Sequence, residues 1–314
     1  MIIVTGGLGF IGYNLIKKLN SINRNDIIIV DYKNKNLNSL KNIKYLKFIS
    51  AETFYKNLEK FSKHKIECIF HQGANSSTTE TNKTKIYKQN YYCSIELLKF
   101  AKKNNIKFIY ASSAATYGIN TKNFNETNWK IKPANLYGNS KLDFDKYVKK
   151  EIKKKEIQII GLRYFNVYGP YEFHKKNMAS VIFNFNKTFI KDKIISLFKG
   201  SNGYKNGEQL RDFVHVDDCV KVNLYFFRNT KSGIFNVGTG KCESFNKVAN
   251  LILRHHGANT NKKKYIEFPK KLKKSYQSYT KANISKLINS GYNKKFINLN
   301  NGVRKYLKFL NKKY

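Results

Sequence analysis

Apolar residues along this chain fall into short runs separated by longer amphipathic stretches, the pattern of strands buried on both faces alternating with helices. Residues 2–4, 27–30, 44–49, 67–70, 107–110 and 158–163 are predicted as six such strands. Helices are predicted from the first glycines to about residue 19, over 84–104 and over 136–150. Ile86, Asn90, Cys93, Leu97 and Phe100 fall near one face of the second, where a polar Asn90 suggests a water-binding or backbone-bracing role. This alternation implies an α/β fold with a Rossmann-like, doubly wound parallel sheet. After Tyr164 the pattern loosens. A turn is predicted at 165–170, a helical segment to about 190 and a short strand at 194–198. A helix opening at 211–218 with Asp217 as N-cap, a strand at 234–238, a helix to about 255 and two short terminal helices follow. The expected organisation is a dinucleotide-binding domain over 1–165, rejoined by parts of 212–240, with 166–314 mainly a smaller α+β substrate lobe.

The loop after the first run reads Thr5-Gly-Gly-Leu-Gly-Phe-Ile-Gly12, so Gly6, Gly9 and Gly12 form G-x-x-G-x-x-G between a strand and a helix. One glycine allows the tight turn, one lets backbone approach a pyrophosphate, and one packs helix on strand, with the helix N–H groups facing the phosphates. Asp31 closes the second strand, where an acid accepts from the adenosine ribose and favours NAD. Lys33, Lys35, Lys41 and Lys44 follow and could neutralise a 2′-phosphate instead, so these residues leave NAD and NADP open. The fourth strand runs into His71-Gln72-Gly73-Ala74-Asn75-Ser76, small residues that leave room for a cofactor at the strand ends. His71, in strand context, reads as a hydrogen-bonded structural residue more readily than as a base.

The fifth strand delivers Ser112-Ser113, and Tyr137 and Lys141 lie one turn apart on one helix face. A neighbouring ammonium is expected to pull the phenol's pKa down towards working range. Either serine could hold a substrate oxygen against that phenol, and spacing does not choose between them. Ser, Tyr and Lys so placed make a proton-transfer device beside a hydride carrier.

Composition changes this picture little. Cys68, Cys93, Cys219 and Cys242 are scattered, without C-x-x-C pairs or clustered histidines, so no metal site is expected. The net charge is +40, with only six arginines among 60 basic residues, and the lysines are spread along the whole chain. Compositional drift accounts for that better than nucleic-acid binding, which recruits the bidentate fork of Arg. With no apolar run of membrane-spanning length and no charged leader, the chain is expected to be cytoplasmic and to engage neither membrane nor nucleic acid.

Gly6–Gly12, Tyr137-x-x-x-Lys141 and Arg163-Tyr-Phe-Asn-Val-Tyr-Gly-Pro170 together resemble the extended short-chain dehydrogenase/reductases that act on nucleotide sugars. Longer strings carry a closer resemblance to the ADP-L-glycero-D-manno-heptose 6-epimerases: His71-Gln-Gly-Ala-Asn-Ser-Ser-Thr-Thr-Glu80, Tyr110-Ala-Ser-Ser-Ala-Ala-Thr-Tyr-Gly118, His174-Lys175, Met178-Ala-Ser-Val181, Arg211-Asp-Phe213 and Tyr276-Gln277. The resemblance implies a bound NADP that takes hydride from C6 of the heptose and returns it to the opposite face. It implies an ADP-heptose substrate, a product used for lipopolysaccharide core synthesis, and a homo-oligomer, in that family a ring of five. Tyr137 and Lys175 match its two acid/base groups, supported by Ser113 and Lys141. Gly6, Gly9, Phe10, Ile11, Gly12, Asp31, Tyr32, Lys56, Gln72, Gly73, Ala74, Asn75, Ser76, Gln89, Asn90, Lys141, Val167 and Lys175 match its cofactor positions. Ser113, Asn166, Asn177, Asn184, Phe198, Lys199, Gly200, Ser201, Arg211 and Tyr276 match its substrate positions. Departures from the family pattern are Tyr13, Gln72, Gln89, Asn177 and Asn184.

Other readings are weighed by single features. A dehydratase needs an Asp-Glu pair after the serine, where this chain has Ala114-Ala115. A UDP-hexose 4-epimerase is the enzyme alternative. A cofactor-sensing binding protein on the same fold usually loses the Tyr or the Lys, and both are present.

Overall fold

The computed structural model describes residues 1–32, 37–119, 121–268 and 276–312, without the side chains at 176 and 177. Lys33, Lys35 and the Asn177 side chain therefore lie outside the described residues. In chain order the first strands are β1 (Ile2–Thr5), β2 (Ile27–Asp31), β3 (Lys47–Ser50), β4 (Cys68–His71), β5 (Lys107–Ser113) and β6 (Ile159–Tyr164). All six expected strands form, with ends moved by up to three residues. Next come β7 (Asn166–Tyr168), β8 (Ile195–Phe198), β9 (Leu210–Arg211), β10 (Phe213–His215), β11 (Gly233–Val237), β12 (Glu243–Ser244) and β13 (Lys263–Ile266).

The main sheet has seven strands in the order β11-β6-β5-β4-β1-β2-β3, and β1 pairs parallel with both β2 and β4. Every residue of β1, β2, β4 and β6 is buried, which is why these segments read as unbroken apolar runs. Helices Phe10–Asn20, Cys93–Lys103 and Leu136–Lys153 are among those that follow its strands, a Rossmann-like α/β arrangement.

The chain divides into two compact units. Met1–Thr116, Asn135–Arg163 and Val220–Phe235 make the first. Tyr117–Ala134, Tyr164–Cys219 and Asn236–Tyr314 make the second. The second has its own core, in which Ile182, Phe189, Ile195, Leu197, Val248, Ile252, Val303 and Leu307 pack together. Three two-stranded pairings, β10-β7, β12-β9 and β13-β8, complete it.

Three local expectations are corrected. Residues 166–168, read as part of a turn, form β7 and pair parallel with β10, Val167 opposite Val214. Arg211 and residues 213–215, in the stretch read as opening a helix, belong to β9 and β10. The helix begins at Val216, with Asp217 in its first turn, where the carboxylate meets Lys305. Each of these strands is only two or three residues long, too short for a period-2 signature. The helix predicted over 84–104 is instead α-helix Lys83–Tyr87, a π turn at Lys88–Tyr92 and α-helix Cys93–Lys103.

Candidate active site

The glycine loop of the first unit is built by close approach. Gly6 is left-handed at φ +66°, and a Cβ there would stand 2.6 Å from the Gly73 backbone. A Cβ on Gly12 would stand 2.2 Å from Gly6 O, so the helix rests directly on the turn. The Asp31 carboxylate accepts from Leu8 N (2.9 Å) and Tyr32 N (2.8 Å), which fixes the loop against the end of β2. The first-turn N–H groups of helix Phe10–Asn20 have no acceptor inside the helix and suit an anion. Phe10 is buried and Ile11 half-buried in that turn.

On the β4 side, a run of hydrogen bonds joins many of the candidate cofactor residues. Tyr32 Oη accepts from Gln89 Nε2 (3.2 Å), and Gln89 Oε1 accepts from Asn75 Nδ2 (3.0 Å). Asn90 is fully buried; its Oδ1 accepts from Asn75 N (2.7 Å) and its Nδ2 donates to Asn75 O (2.9 Å) and Ser140 Oγ (3.1 Å). Ser140 Oγ in turn donates to Tyr137 O (2.8 Å). The π turn carries Gln89 and Asn90, and Asn90 braces the backbone at Asn75, as its place on the helix face suggested. Gln72 Nε2 donates to Asn223 Oδ1 (3.2 Å), and Gly73 N to Thr5 Oγ1 (3.2 Å). Ala74 and Ser76 are exposed beside them; Lys56 ends helix Ala51–Lys56, also exposed.

His71 is buried, with Nδ1 bonded to Thr5 Oγ1 (2.7 Å) and Nε2 to Ser94 Oγ (2.8 Å). Burial lowers its pKa to about 3, so the ring is neutral and structural. Among the described residues no cluster of three His, Cys, Asp or Glu could hold a metal ion.

The proton-transfer residues come together at the C-terminal end of β5. Ser112 is 2% exposed and donates to Asp145 Oδ2 at 2.9 Å, which commits it elsewhere. The half-buried Ser113 is the serine beside the Tyr137 phenol. Lys141 is 3% exposed and gives its ammonium to Ala111 O at 2.8 Å. Burial lowers its pKa to about 8, against the opposing charge of Asp145. Burial also pushes the Tyr137 phenol above the ordinary tyrosine range, overriding the Ser113 hydrogen bond that favours phenolate. The expected lowering by Lys141 is therefore not found: desolvation outweighs the Ser113 contribution, and the charge of Asp145 adds to the rise.

In the second unit, Lys175 lies in the 3-10 stretch Phe173–Met178, its N–H donating to Glu172 O at 2.9 Å. Burial lowers its pKa, and the facing Glu172 carboxylate opposes that. Glu172 is fully buried and accepts from Gly169 N (3.2 Å), Ser180 N (2.5 Å) and Ser180 Oγ (2.7 Å). Among the substrate candidates, Phe198, Arg211 and Tyr276 are brought together. The Arg211 guanidinium lies 4.8 Å from the Tyr276 ring centroid, and Phe198 and Tyr276 meet edge to face at 6.3 Å. Other candidates are occupied within this unit. Asn166 Nδ2 donates to Asp212 O and Thr280 Oγ1, both at 3.0 Å, and Asn184 Nδ2 to Ala179 O at 3.0 Å. Lys199 pairs with Glu267 at 2.5 Å, Gly200 N donates to Asn206 Oδ1, and Ser201 O accepts from Tyr204 N.

Residues 2–238 match the model of the NAD dependent epimerase/dehydratase family. The chain belongs to that family. Among solved structures, the ADP-L-glycero-D-manno-heptose-6-epimerase of Helicobacter pylori is 32% identical, with a TM-score of 0.86 over 99% of this chain and 96% of that one. The UDP-glucose 4-epimerase of Thermotoga maritima, solved with UDP-glucose, is 27% identical with a TM-score of 0.83 over 99% of both chains. The UDP-N-acetylglucosamine 4-epimerase of Methanobrevibacter ruminantium, in complex with UDP-N-acetylmuramic acid, is 26% identical with a TM-score of 0.86 over 100% and 98%. Within this epimerase/dehydratase family member, sequence reasoning passed over Asp145, Arg163 and Glu172. The spacing of Asp145, one turn beyond Lys141, and the scarcity of arginine were the available signals.

Proposed function

We propose that this enzyme inverts C6 of the heptose in an ADP-glycero-manno-heptose, using a bound nicotinamide dinucleotide, taken as NADP. The observation that carries an epimerase reading is the assembled Ser113–Tyr137–Lys141 set followed by Ala114-Ala115, a 3-10 turn without acids for elimination. The substrate rests on the resemblance strings and on likeness to the Helicobacter pylori enzyme. The glycine cradle, the phosphate-facing helix start and Asp31 fit a dinucleotide, and when bound it supplies the hydride acceptor and donor. Around that exchange Ser113 orients the substrate oxygen. Tyr137 and Lys175 are the two acid/base groups, one for each orientation of the alcohol. One takes the hydroxyl proton as the alcohol becomes a ketone, the other gives a proton to oxygen when hydride is delivered to the opposite face, and proton exchange with solvent resets both. Hydride taken equals hydride returned, so the reaction has no net redox change. Arg211 and Tyr276 are suited to the diphosphate and its base.

Incubation with ADP-D-glycero-D-manno-heptose and, separately, UDP-galactose, followed by NMR, is expected to show inversion only of the heptose. Inversion of the galactose alone would move the assignment to a UDP-hexose 4-epimerase, a reading favoured by the similar TM-scores of the UDP-sugar enzymes. Mass spectrometry of the cofactor released on denaturation is expected to find NADP; NAD alone would overturn that choice. Homo-oligomerisation, a pentamer on the family resemblance, is checked by light scattering after gel filtration.

A further inference from the structure

Three consecutive residues near the end of β5 are tied one after another to helix Leu136–Lys153. Tyr110 Oη donates to Asp145 Oδ1 at 2.8 Å, Ala111 O accepts from Lys141 Nζ at 2.8 Å, and Ser112 Oγ donates to Asp145 Oδ2 at 2.9 Å, which leaves Ser113, the next residue, beside the Tyr137 phenol. Two of the three ties end on Asp145. A third donor, Arg163 Nε on β6, reaches the same carboxylate at 2.8 Å. Asp145 and Arg163 are both 0% exposed. Asp145 stands one turn after Lys141 and two after Tyr137, on the helix face that carries both. A fully buried carboxylate held from two strands fixes the helix in rotation and along its axis. A slip of one residue would break all three ties together.

We propose that Asp145 is a positioning residue for proton transfer: it sets the helix on β5 so that Tyr137 meets Ser113, and it places a negative charge behind Tyr137 and Lys141. The charged and titratable groups around this carboxylate are Tyr110 on β5, Arg163 on β6, and Lys141 and Tyr137 on its own helix. His71 on β4, which also feels Lys141, is neutral. The charge of Asp145 favours the ammonium of Lys141 and disfavours the phenolate of Tyr137. Arg163 balances the formal charge of the pair, but its guanidinium comes from another strand, so the field at Lys141 does not cancel.

The inference concerns the family's shared Tyr–Lys machinery and is tested without a sugar substrate. Lysines carrying a 13C label at Cε are titrated by NMR, and the Lys141 signal is assigned by its loss in Lys141→Met. Asp145→Asn is expected to lower the Lys141 midpoint by about one unit, since a facing charge shifts a pKa by roughly one to three units. A midpoint that stays at the wild-type value in a folded variant overturns the proposal and leaves Asp145 a purely structural partner of Arg163. Should Asp145→Asn fail to melt cooperatively, Ser112→Ala is used instead. It keeps the ion pair but removes one donor from the carboxylate, and is expected to raise the Lys141 midpoint; no change there overturns the proposal equally.

Discussion

Each compact unit sets a lysine near a carboxylate, Lys141 buried and Lys175 half-buried, and the two arrangements use the carboxylate differently. Lys141 stands on an 18-residue helix, its ammonium bonded to Ala111 O, with Asp145 one turn away and occupied by Tyr110, Ser112 and Arg163. Lys175 stands on a six-residue 3-10 stretch, and its Glu172 accepts from Gly169 and Ser180. Burial lowers both lysines' pKa values and the acid opposes it in both. The first carboxylate ties a long helix to two strands, while the second ties the two ends of a short loop. On the proposed mechanism, Lys141 supports a proton carrier while Lys175 is one, and a group that must exchange protons is better served by the more adjustable support.

The largest effect that could break this comparison is at the proton carriers themselves. Tyr137→Phe is expected to lower kcat by about 10²–10⁴-fold with little change in KM, since it removes a positioned acid/base group. Lys175→Met is expected to cost about 10²-fold in the same NMR assay of heptose inversion. If Lys175→Met stays within a few-fold of wild type while Tyr137→Phe does not, Lys175 is no second carrier, and the two lysines have no division of labour.

A smaller effect separates the lysines by stability. The folded-state pKa of Lys141, about 8, lies below its ordinary 10.5. The native state therefore binds fewer protons than the unfolded chain between these values, and stability from this group rises as pH climbs from 8 to 10.5. Below pH 8 the buried ammonium costs on the order of 3 kcal/mol, partly offset by roughly 1 kcal/mol from its bond to Ala111. Lys141→Met is thus expected to unfold at higher denaturant by on the order of 2 kcal/mol at pH 7, with the advantage shrinking towards pH 10.5. Its activity falls because Tyr137 loses its neighbouring cation. A variant less stable than wild type at pH 7 would show that the Ala111 bond, and not desolvation, dominates this site.

These contrasts mark how far the sequence could be read. Strands β1, β2, β4 and β6 were legible because burial on both faces writes itself as an apolar run, and the Gly6–Gly12 spacing because helix, turn and β4 meet backbone to backbone. Tyr137 and Lys141 were legible because one helical turn is a local distance. The pKa of Tyr137 was misread for the converse reason: desolvation depends on the walls around a group, and β5 and its neighbours come from elsewhere in the chain. The choice between Ser112 and Ser113 was likewise invisible to spacing and is made by Asp145. In the second unit, β7 and β10 were missed because three residues carry no period, and their pairing spans residues 166 to 215. Lys199, matched to a substrate position by the resemblance, is paired with Glu267. Lysines in so basic a chain carry little information individually, so Lys175 drew its significance from the His174-Lys175 string.

The smallest predicted effect sharpens the comparison at the second carboxylate. Burial raises the pKa of Glu172 above the ordinary glutamate range, against its hydrogen bonds from Ser180 and Gly169 and the charge of Lys175. The native state therefore holds the proton to higher pH than the unfolded chain does, and stability from this group declines as pH rises from the ordinary glutamate value through the raised one. Glu172→Gln removes that dependence but offers an amide where a carboxylate met donors from Gly169 N, Ser180 N and Ser180 Oγ. One amide oxygen replaces two acceptors, and the NH₂ faces donors, so a loss of about 1–2 kcal/mol is expected at pH 7. The loss should narrow as pH rises from 4 to 7, read by denaturant melts across that range. Turnover should fall less than in Lys175→Met, because the loop keeps its Lys175 N–H bond to the Glu172 backbone carbonyl. A Glu172→Gln enzyme as impaired as Lys175→Met would mean that the loop is held as strictly as the Tyr137 helix, and the contrast in adjustability between the two lysines would be lost.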